Sequence, residues 1–261
     1  AFGNTTLAGA DFTGAEVRGT SFGLNPFFSA GNIITAAQLY STASYQNHDL
    51  SGISLAWNNV SGWNFAGQNL ANASLLGIND YGTDFTAADT RGAHFGAHST
   101  VKTNLIYPDG QIAGLDLTAG KSLLVRNYHG NPLASPDPGP IAIRIDQSMT
   151  MDPTGTLSLM LDGDEWDSII SFAPGISVTL GGTLDLSFAA GVDIEAEIGR
   201  TFQIFDWTGV TPAGSFNLSS PYAWDVSQLY TSGQVTLVPE PSCLSLIVLA
   251  APAWFRRRRA R

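Results

Sequence analysis

The amino-acid sequence predicts an all-β protein: a coil of five-residue repeats followed by a β-sandwich or β-roll-like region. Three observations lead there. Between Tyr40 and Phe95 every fifth residue is large and apolar, from Tyr40, Tyr45, Leu50, Leu55, Val60, Phe65, Leu70 and Leu75 to Phe85 and Phe95, with breaks only at Asp80 and Thr90. From Val101 onward, short apolar runs are separated by turn residues such as Pro108-Asp109-Gly110. Only 13% of the 261 residues are charged and 28 are glycine, a composition that favours turn-rich β structure over helix bundles.

A period of five matches neither a helix at 3.6 nor a flat strand at 2. It asks for a coil in which each five-residue side carries one inward residue and ends in a turn. Successive turns then stack about 4.8 Å apart, and the inward residues form a column that is buried only by its neighbours. Gly52, Gly62, Gly67, Gly82 and Gly92, with Asn59, Asn69 and Asn72, are the expected corners. A second, small inward slot is expected two residues before each central one. Ala43, Ala73, Thr83, Ala88 and Ala93 obey, whereas His48, Ile53, Asn58, Trp63 and Gln68 do not, which predicts a looser or wider coil in the middle.

Taken in order, residues 1–24 carry the same period through Leu7, Phe12, Val17 and Phe22. Residues 25–39 read as a loop and short-helix insertion: Asn25-Pro26-Phe27-Phe28 is loop chemistry, and Thr35 to Gln38 is a capping box opening a helix over roughly 36–43. Residues 40–100 form the main repeat array. Asp11-Phe12-Thr13, Arg18-Gly19 and Phe22-Gly23 recur as Asp84-Phe85-Thr86, Arg91-Gly92 and Phe95-Gly96, so residues 1–24 read as the end of a first repeat unit. Ala1 is not a methionine and no signal-like apolar segment follows it, as expected of a processed or incomplete N-terminus.

The pentads Ala10-Asp11-Phe12-Thr13-Gly14 and Ala71-Asn72-Ala73-Ser74-Leu75 resemble the pentapeptide-repeat family, with its Ala-(Asp/Asn)-Leu pattern. That resemblance implies a right-handed quadrilateral β-helix with four pentads per coil. The segment Leu39 to Gln46 is similar to repeat units of exported proteins of planctomycete-type bacteria.

Residues 101–238 form the β-rich region. Strands are expected over 112–117, 121–127, 141–146, 155–161, 168–172, 176–180, 183–188, 192–197, 202–206, 214–218 and 233–238. Many short strands at regular spacing imply a sandwich, roll or solenoid; a sandwich-like or β-roll unit is preferred, since it would continue or cap the coil, whose open end otherwise exposes unpaired backbone.

The last segment, 239–261, is an apolar run over 243–255 between Pro239-Glu240-Pro241 and Arg256-Arg257-Arg258-Arg259. As a helix the run reaches only roughly 20 Å, short of the ~30 Å hydrocarbon core, and flanking arginines can snorkel to make up the difference. The positive-inside rule keeps them cytoplasmic and the rest outside. The order of triplet, apolar span and arginine cluster resembles the PEP-CTERM sorting signal, which implies an exosortase-like partner; an ordinary tail anchor is the plainer reading.

The net charge of −10 is an acidic body with a basic tip, which argues against nucleic-acid binding by the body. One cysteine, Cys243, excludes an intramolecular disulfide framework. No catalytic residues, cofactor or metal site are expected. Asp162, Asp164 and Asp167 supply oxygen ligands enough to begin a calcium site, but a solvated hairpin turn explains them too and EF-hand spacing is lacking. Asp193, Glu195 and Glu197 read as the wet face of a strand. Trp57, Trp63, Trp166, Trp207 and Trp224 have the chemistry to stack on sugars or pack a core. The expected function is an exported, surface or matrix structural or adhesion protein with no catalytic activity, membrane-associated through its tail, with extracellular polysaccharide as a further partner. Alternatives are a carbohydrate- or calcium-binding surface module and, from the family resemblance, a DNA-mimicking topoisomerase inhibitor.

Overall fold

The computed structural model describes residues 2, 6–24, 34–95, 103–131, 137 and 139–240. The expectations for Pro241, the 243–255 run and Arg256 to Arg259 lie outside the described residues. The chain is mostly β, its sheets are mainly parallel, and none closes.

In the first half, parallel bridges join residues twenty apart: Asp49 to Asn69, Ser54 to Ser74, Asn59 to Asn79, Asn64 to Asp84 and Asn69 to Asp89. Two longer contacts are β1 (Ser74–Leu75) and β2 (His94–Phe95), which pair in the same register. Turn-to-turn hydrogen bonds run at 2.7–3.1 Å, as from Leu50 N to Asn69 O at 2.9 Å and from Phe65 N to Asp84 O at 2.7 Å. Leu50, Leu55, Val60, Phe65, Leu70, Leu75 and Phe85 are all buried, and Phe65 stacks on Phe85 at 5.4 Å between ring centroids.

Most pentads have two local devices. An N–H three residues on bonds back to the central residue's carbonyl, as from Asn58 to Leu55 and from Gln68 to Phe65, closing a turn whose third residue has positive φ. Glycine serves at most of these corners, but Trp57 (φ 65°) and Ala87 (φ 56°) adopt the same left-handed backbone. The second device is the Asp or Asn just before the central residue, whose carboxyl or amide oxygen accepts the N–H two residues on. Asp49 does this to Ser51, Asn64 to Ala66, Asp84 to Thr86 and Asp89 to Arg91. Asn59 and Asn69, expected at corners, hold this position instead, capping Ser61 and Ala71. Asn72 is a corner as expected.

The middle of the array is no looser than its end. Ile53, Asn58, Trp63 and Gln68 are all buried in the second slot, and the Asn58 amide donates to the carbonyls of Phe22 and Leu55. His48 instead turns outward at a corner with φ 54°. Residues 7–24 lie in the same stack, since Ser21 bridges Ser54 and Leu24 N donates to Ala56 O. The capping box forms as read: α1 (Ala36–Tyr40) starts at Thr35, with both reciprocal bonds to Gln38. The expected single helix is two, because Thr42 caps a second short one, α2 (Ala43–Gln46).

The second half departs from a sandwich. Its strands are β3 (Gln111–Ile112), β4 (Leu115–Leu117), β5 (Ser122–Arg126), β6 (Ile143–Ile145), β7 (Ser148–Met151), β8 (Thr156–Leu161), β9 (Ile170–Phe172), β10 (Ser177–Leu180) and β11 (Thr183–Phe188). After α3 (Ile194–Glu197) come β12 (Thr201–Gln203), β13 (Phe205–Asp206), β14 (Ala213–Gly214), β15 (Asn217–Ser219), β16 (Trp224–Asp225) and β17 (Gln234–Leu237). Three parallel sheets take the orders β3-β6-β9-β13, β4-β7-β10-β14 and β5-β8-β11-β15. The chain visits the three sheets in turn, and each strand lies beside the one a circuit earlier. Leu123, Leu157 and Leu184 align across the third sheet, as do Val125, Leu159 and Leu186, so equivalent residues stack in columns. Alternating burial identifies a half-buried strand but not the direction of its partner, which is why a sandwich was expected.

Three further differences have local causes. The expected strand 112–117 bends at 113–114 into β3 and β4, and 202–206 and 214–218 divide likewise where the chain passes between sheets. The expected strand 192–197 contains α3, because the Asp193 carboxylate caps the Glu195 N–H and acids in a first turn suit the helix dipole. Glu197 is consequently buried and paired with Arg200 at 2.6 Å rather than water-facing. Antiparallel β12, β17 and β16 form a separate sheet, with Phe188 at the end of β11 packed on Phe202 and Trp224 and the Trp207 indole N–H bonded to Leu229 O at 2.7 Å, while β14 and β15 at the edge of the stack stay exposed.

Arg91 ties the two halves together. It is fully buried and forks onto Asp89, with Nε at 3.0 Å from Oδ1 and Nη2 at 2.6 Å from Oδ2. It also donates to the carbonyls of Arg126 and Ile141 and to the Ser168 hydroxyl, and faces the Tyr128 ring at 5.2 Å. Removing one partner of such a pair leaves an uncompensated buried charge. Arg91→Met is expected to cost about 3–5 kcal/mol in urea unfolding, and Asp89→Asn combined with Arg91→Met to cost less than Arg91→Met alone. The Asp152 carboxylate, bonded by the Thr154 hydroxyl and by the N–H groups of Ala119 and Thr154, has its pKa lowered to about 2. Its contribution to stability is therefore present above its ordinary value near 3.8 and is lost as pH falls toward 2. Melts of wild type and Asp152→Asn are expected to differ at pH 5 and to converge at pH 2.

Candidate functional site

Parallel pairing brings together residues far apart in the chain. Arg126 at the end of β5 is in register with Met160 near the end of β8, so the chain leaving β5 runs beside the acidic turn that leaves β8. His129 on the first meets Asp162, Asp164 and Asp167 on the second. Its Nε2 lies 2.9 Å from Asp162 Oδ2 and 3.9 Å from Asp164 Oδ2, and its Nδ1 lies 2.8 Å from Asp167 Oδ2.

Asn127 fixes both sides of this arrangement. Its amide N–H groups donate to Asp162 Oδ1 at 3.1 Å and to Glu165 O, and its carbonyl oxygen accepts the Asp167 N–H at 2.8 Å. Behind the turn, Arg200 bonds the Gly163 carbonyl and pairs with Glu197. Burial pulls the His129 imidazole toward its neutral form, but the hydrogen bonds and charges of Asp167 and Asp162 outweigh it and set its pKa above the ordinary 6.5.

The sequence placed the three aspartates in one turn and missed His129 and Asn127, more than thirty residues away. Only a parallel register would have revealed them. Of the remaining sequence candidates, Pro239 and Glu240 follow β17, and Phe95 pairs through its backbone with Leu75. Trp63, Trp166 and Trp207 are buried, as core packing requires, whereas Trp57 is 43% exposed and Tyr81, also on the repeat coil, is 86% exposed. Among the described residues no helix is long and apolar enough to cross a membrane. Comparison of the chain with protein-family models, with curated proteins and with solved structures finds no match.

Because the folded-state pKa of His129 is raised, its contribution to stability is complete below about pH 6.5 and is lost as pH rises through the folded value. Asp167→Asn removes one of the two carboxylates that sustain the shift. In chelator-treated buffer, NMR titration of the His129 ring is expected to give a lower pKa in that variant than in wild type.

Proposed function

We propose that this is an exported, non-catalytic structural or adhesion-type protein of the cell envelope or extracellular matrix. In this reading the first half is a pentapeptide-repeat β-helix with four pentads per coil, right-handed as parallel crossovers almost always are. The second half extends the rod as a three-sided parallel stack. One observation carries the reading: bridges at a fixed interval of twenty residues over a dry column from Leu50 to Phe85. A stack of that kind is a rigid scaffold whose outer residues are free to vary, and such scaffolds present surfaces rather than enclose substrates.

Delivery follows from the terminal pattern. Pro239-Glu240-Pro241, the 243–255 run and Arg256 to Arg259 resemble a PEP-CTERM tail, for which an exosortase-like enzyme is the partner and the membrane a transient or permanent anchor. Pro239 follows directly on β17, the middle strand of the antiparallel sheet, so the tail begins where the last strand ends.

A second reading, a polysaccharide-binding surface, draws on Trp57 and Tyr81, large aromatics exposed on the repeat coil. A DNA-mimic role fits less well, since residues 1–100 carry only six acids against two bases.

In a host that carries a sorting enzyme, full-length chain is expected in the envelope or medium, with residues 239–261 missing by mass spectrometry if the tail is processed. Chain truncated after Val238 is expected to lose envelope association. Equal fractionation of the two forms refutes the sorting role.

A further inference from the structure

Three ligating atoms from two separate strand exits converge on one point: Nε2 of His129 and one carboxylate oxygen each from Asp162 and Asp164, all within 4.8 Å of one another. We propose that His129, Asp162 and Asp164 form a site for a divalent first-row transition ion of the zinc class, with Asp167 as the positioning residue for the imidazole.

The spacing suits such an ion. Tetrahedral zinc with ligands at about 2.0–2.1 Å places neighbouring ligand atoms about 3.3 Å apart. The observed separations from Nε2, 2.9 Å to Asp162 and 3.9 Å to Asp164, bracket that edge. The third separation, between the Asp162 and Asp164 oxygens, is within 4.8 Å, so all three atoms lie within reach of one ion.

The donor set selects the class of ion. Calcium takes six to eight oxygen ligands, and here one of the three protein donors is an imidazole nitrogen, which suits zinc and its neighbours in the first row. The other ring nitrogen already has what a ligating histidine requires. Asp167 Oδ2, 2.8 Å from Nδ1, fixes the tautomer that leaves Nε2 a lone pair, the carboxylate–histidine–metal arrangement.

A salt-bridge network alone accounts for less of this geometry. A protonated imidazole held between Asp162 and Asp167 uses both ring N–H groups and leaves Asp164, at 3.9 Å, outside hydrogen-bonding distance. A metal gives that third carboxylate a role. Asp164 is 79% exposed, so the remaining coordination positions open to solvent and would be filled by water. Bound there, the ion clips the chain after β5 to the turn after β8, joining two successive circuits of the stack. It would stabilise the folded state by mass action.

The test uses the full chain, stripped with chelator, and Zn²⁺ alone as probe. Calorimetric titration at pH 7.5 is expected to show one equivalent bound and a melting temperature raised by several degrees. His129→Ala and Asp164→Asn are each expected to weaken binding at least tenfold, while His48→Ala leaves it unchanged. Metal-free melting of Asp164→Asn should match wild type, which separates lost binding from lost folding. Asp167→Asn is expected to weaken affinity 10–100-fold with stoichiometry kept, and Asp167→Glu to restore part of it. With Co²⁺ as a spectroscopic substitute, loss of the imidazole ligand in His129→Ala should alter the visible absorption. Absence of a unit-stoichiometry isotherm, stoichiometric binding undiminished in Asp164→Asn, or Ca²⁺ displacing Zn²⁺ at equal concentration would each overturn the proposal.

Discussion

Hydrogen bonds from one turn of the chain to the next are the constraint on which the rest of this structure depends. A single five-residue side cannot bury Leu50 or Phe65 by itself. Its backbone N–H and C=O groups and its apolar side chain are satisfied only when another turn lies directly above or below. This requirement explains the corners, where an i to i+3 hydrogen bond and a left-handed residue return the chain into register. It also explains the Asp or Asn before most central residues, which occupies an N–H that the parallel ladder leaves unused. The same requirement holds in the second half with longer sides, and there leucine columns replace the pentad's single inward residue.

Where these two geometries meet, their repeat lengths no longer match. From Ala87 the ladder shortens, with Ala87 bonding Thr103 and Thr90 bonding Ile106 rather than residues twenty further on. The carbonyls of Arg126 and Ile141 converge there, and the Arg91 guanidinium donates to both, joined at the Arg126 carbonyl by the Ser168 hydroxyl. Burying a charge to satisfy neutral acceptors is costly, and Asp89 makes it tolerable by sharing two oxygens with the same fork. Tyr128 and Asn72 reinforce the joint, the phenol donating to the amide at 2.8 Å and the amide donating to Gly130 O. Gly92, with φ 67°, leaves the space that the Tyr128 hydroxyl enters.

The first half was legible because its signal is local. Central residues recur at a fixed interval, and corner glycines mark the turns within the same five positions. The capping box at Thr35 was legible for the same reason, being complete within four residues. Strand direction was not legible. Leu157, Leu159 and Leu161 alternate with Ser158 and Met160 whether the neighbour runs with them or against them. Ser148 to Met151 carries a weak strand signal, because the run is only four residues long and its outward residues, Ser148 and Thr150, are small and polar. The acidic turn was visible but its histidine was not, since His129 and Asp162 become neighbours only through the β5 to β8 register. Exposed Asp164 and buried Glu197 show that carboxylates of similar local sequence meet opposite fates once capping is taken into account.

The position of Arg91 in the chain sets an order of events. The bonds that stack the pentad turns span about twenty residues, so that coil can condense as soon as its own length has been made. The guanidinium must then wait for acceptors contributed 35, 50 and 77 residues downstream, the last of them Ser168. Until that hydroxyl arrives, a half-satisfied cation keeps the seam open to solvent. The contacts of the N-terminal coil are thus the shorter-range ones and those of the seam the longer-range ones, and a ribosome or translocation channel that releases residues in sequence delivers the partners of the coil before those of the seam.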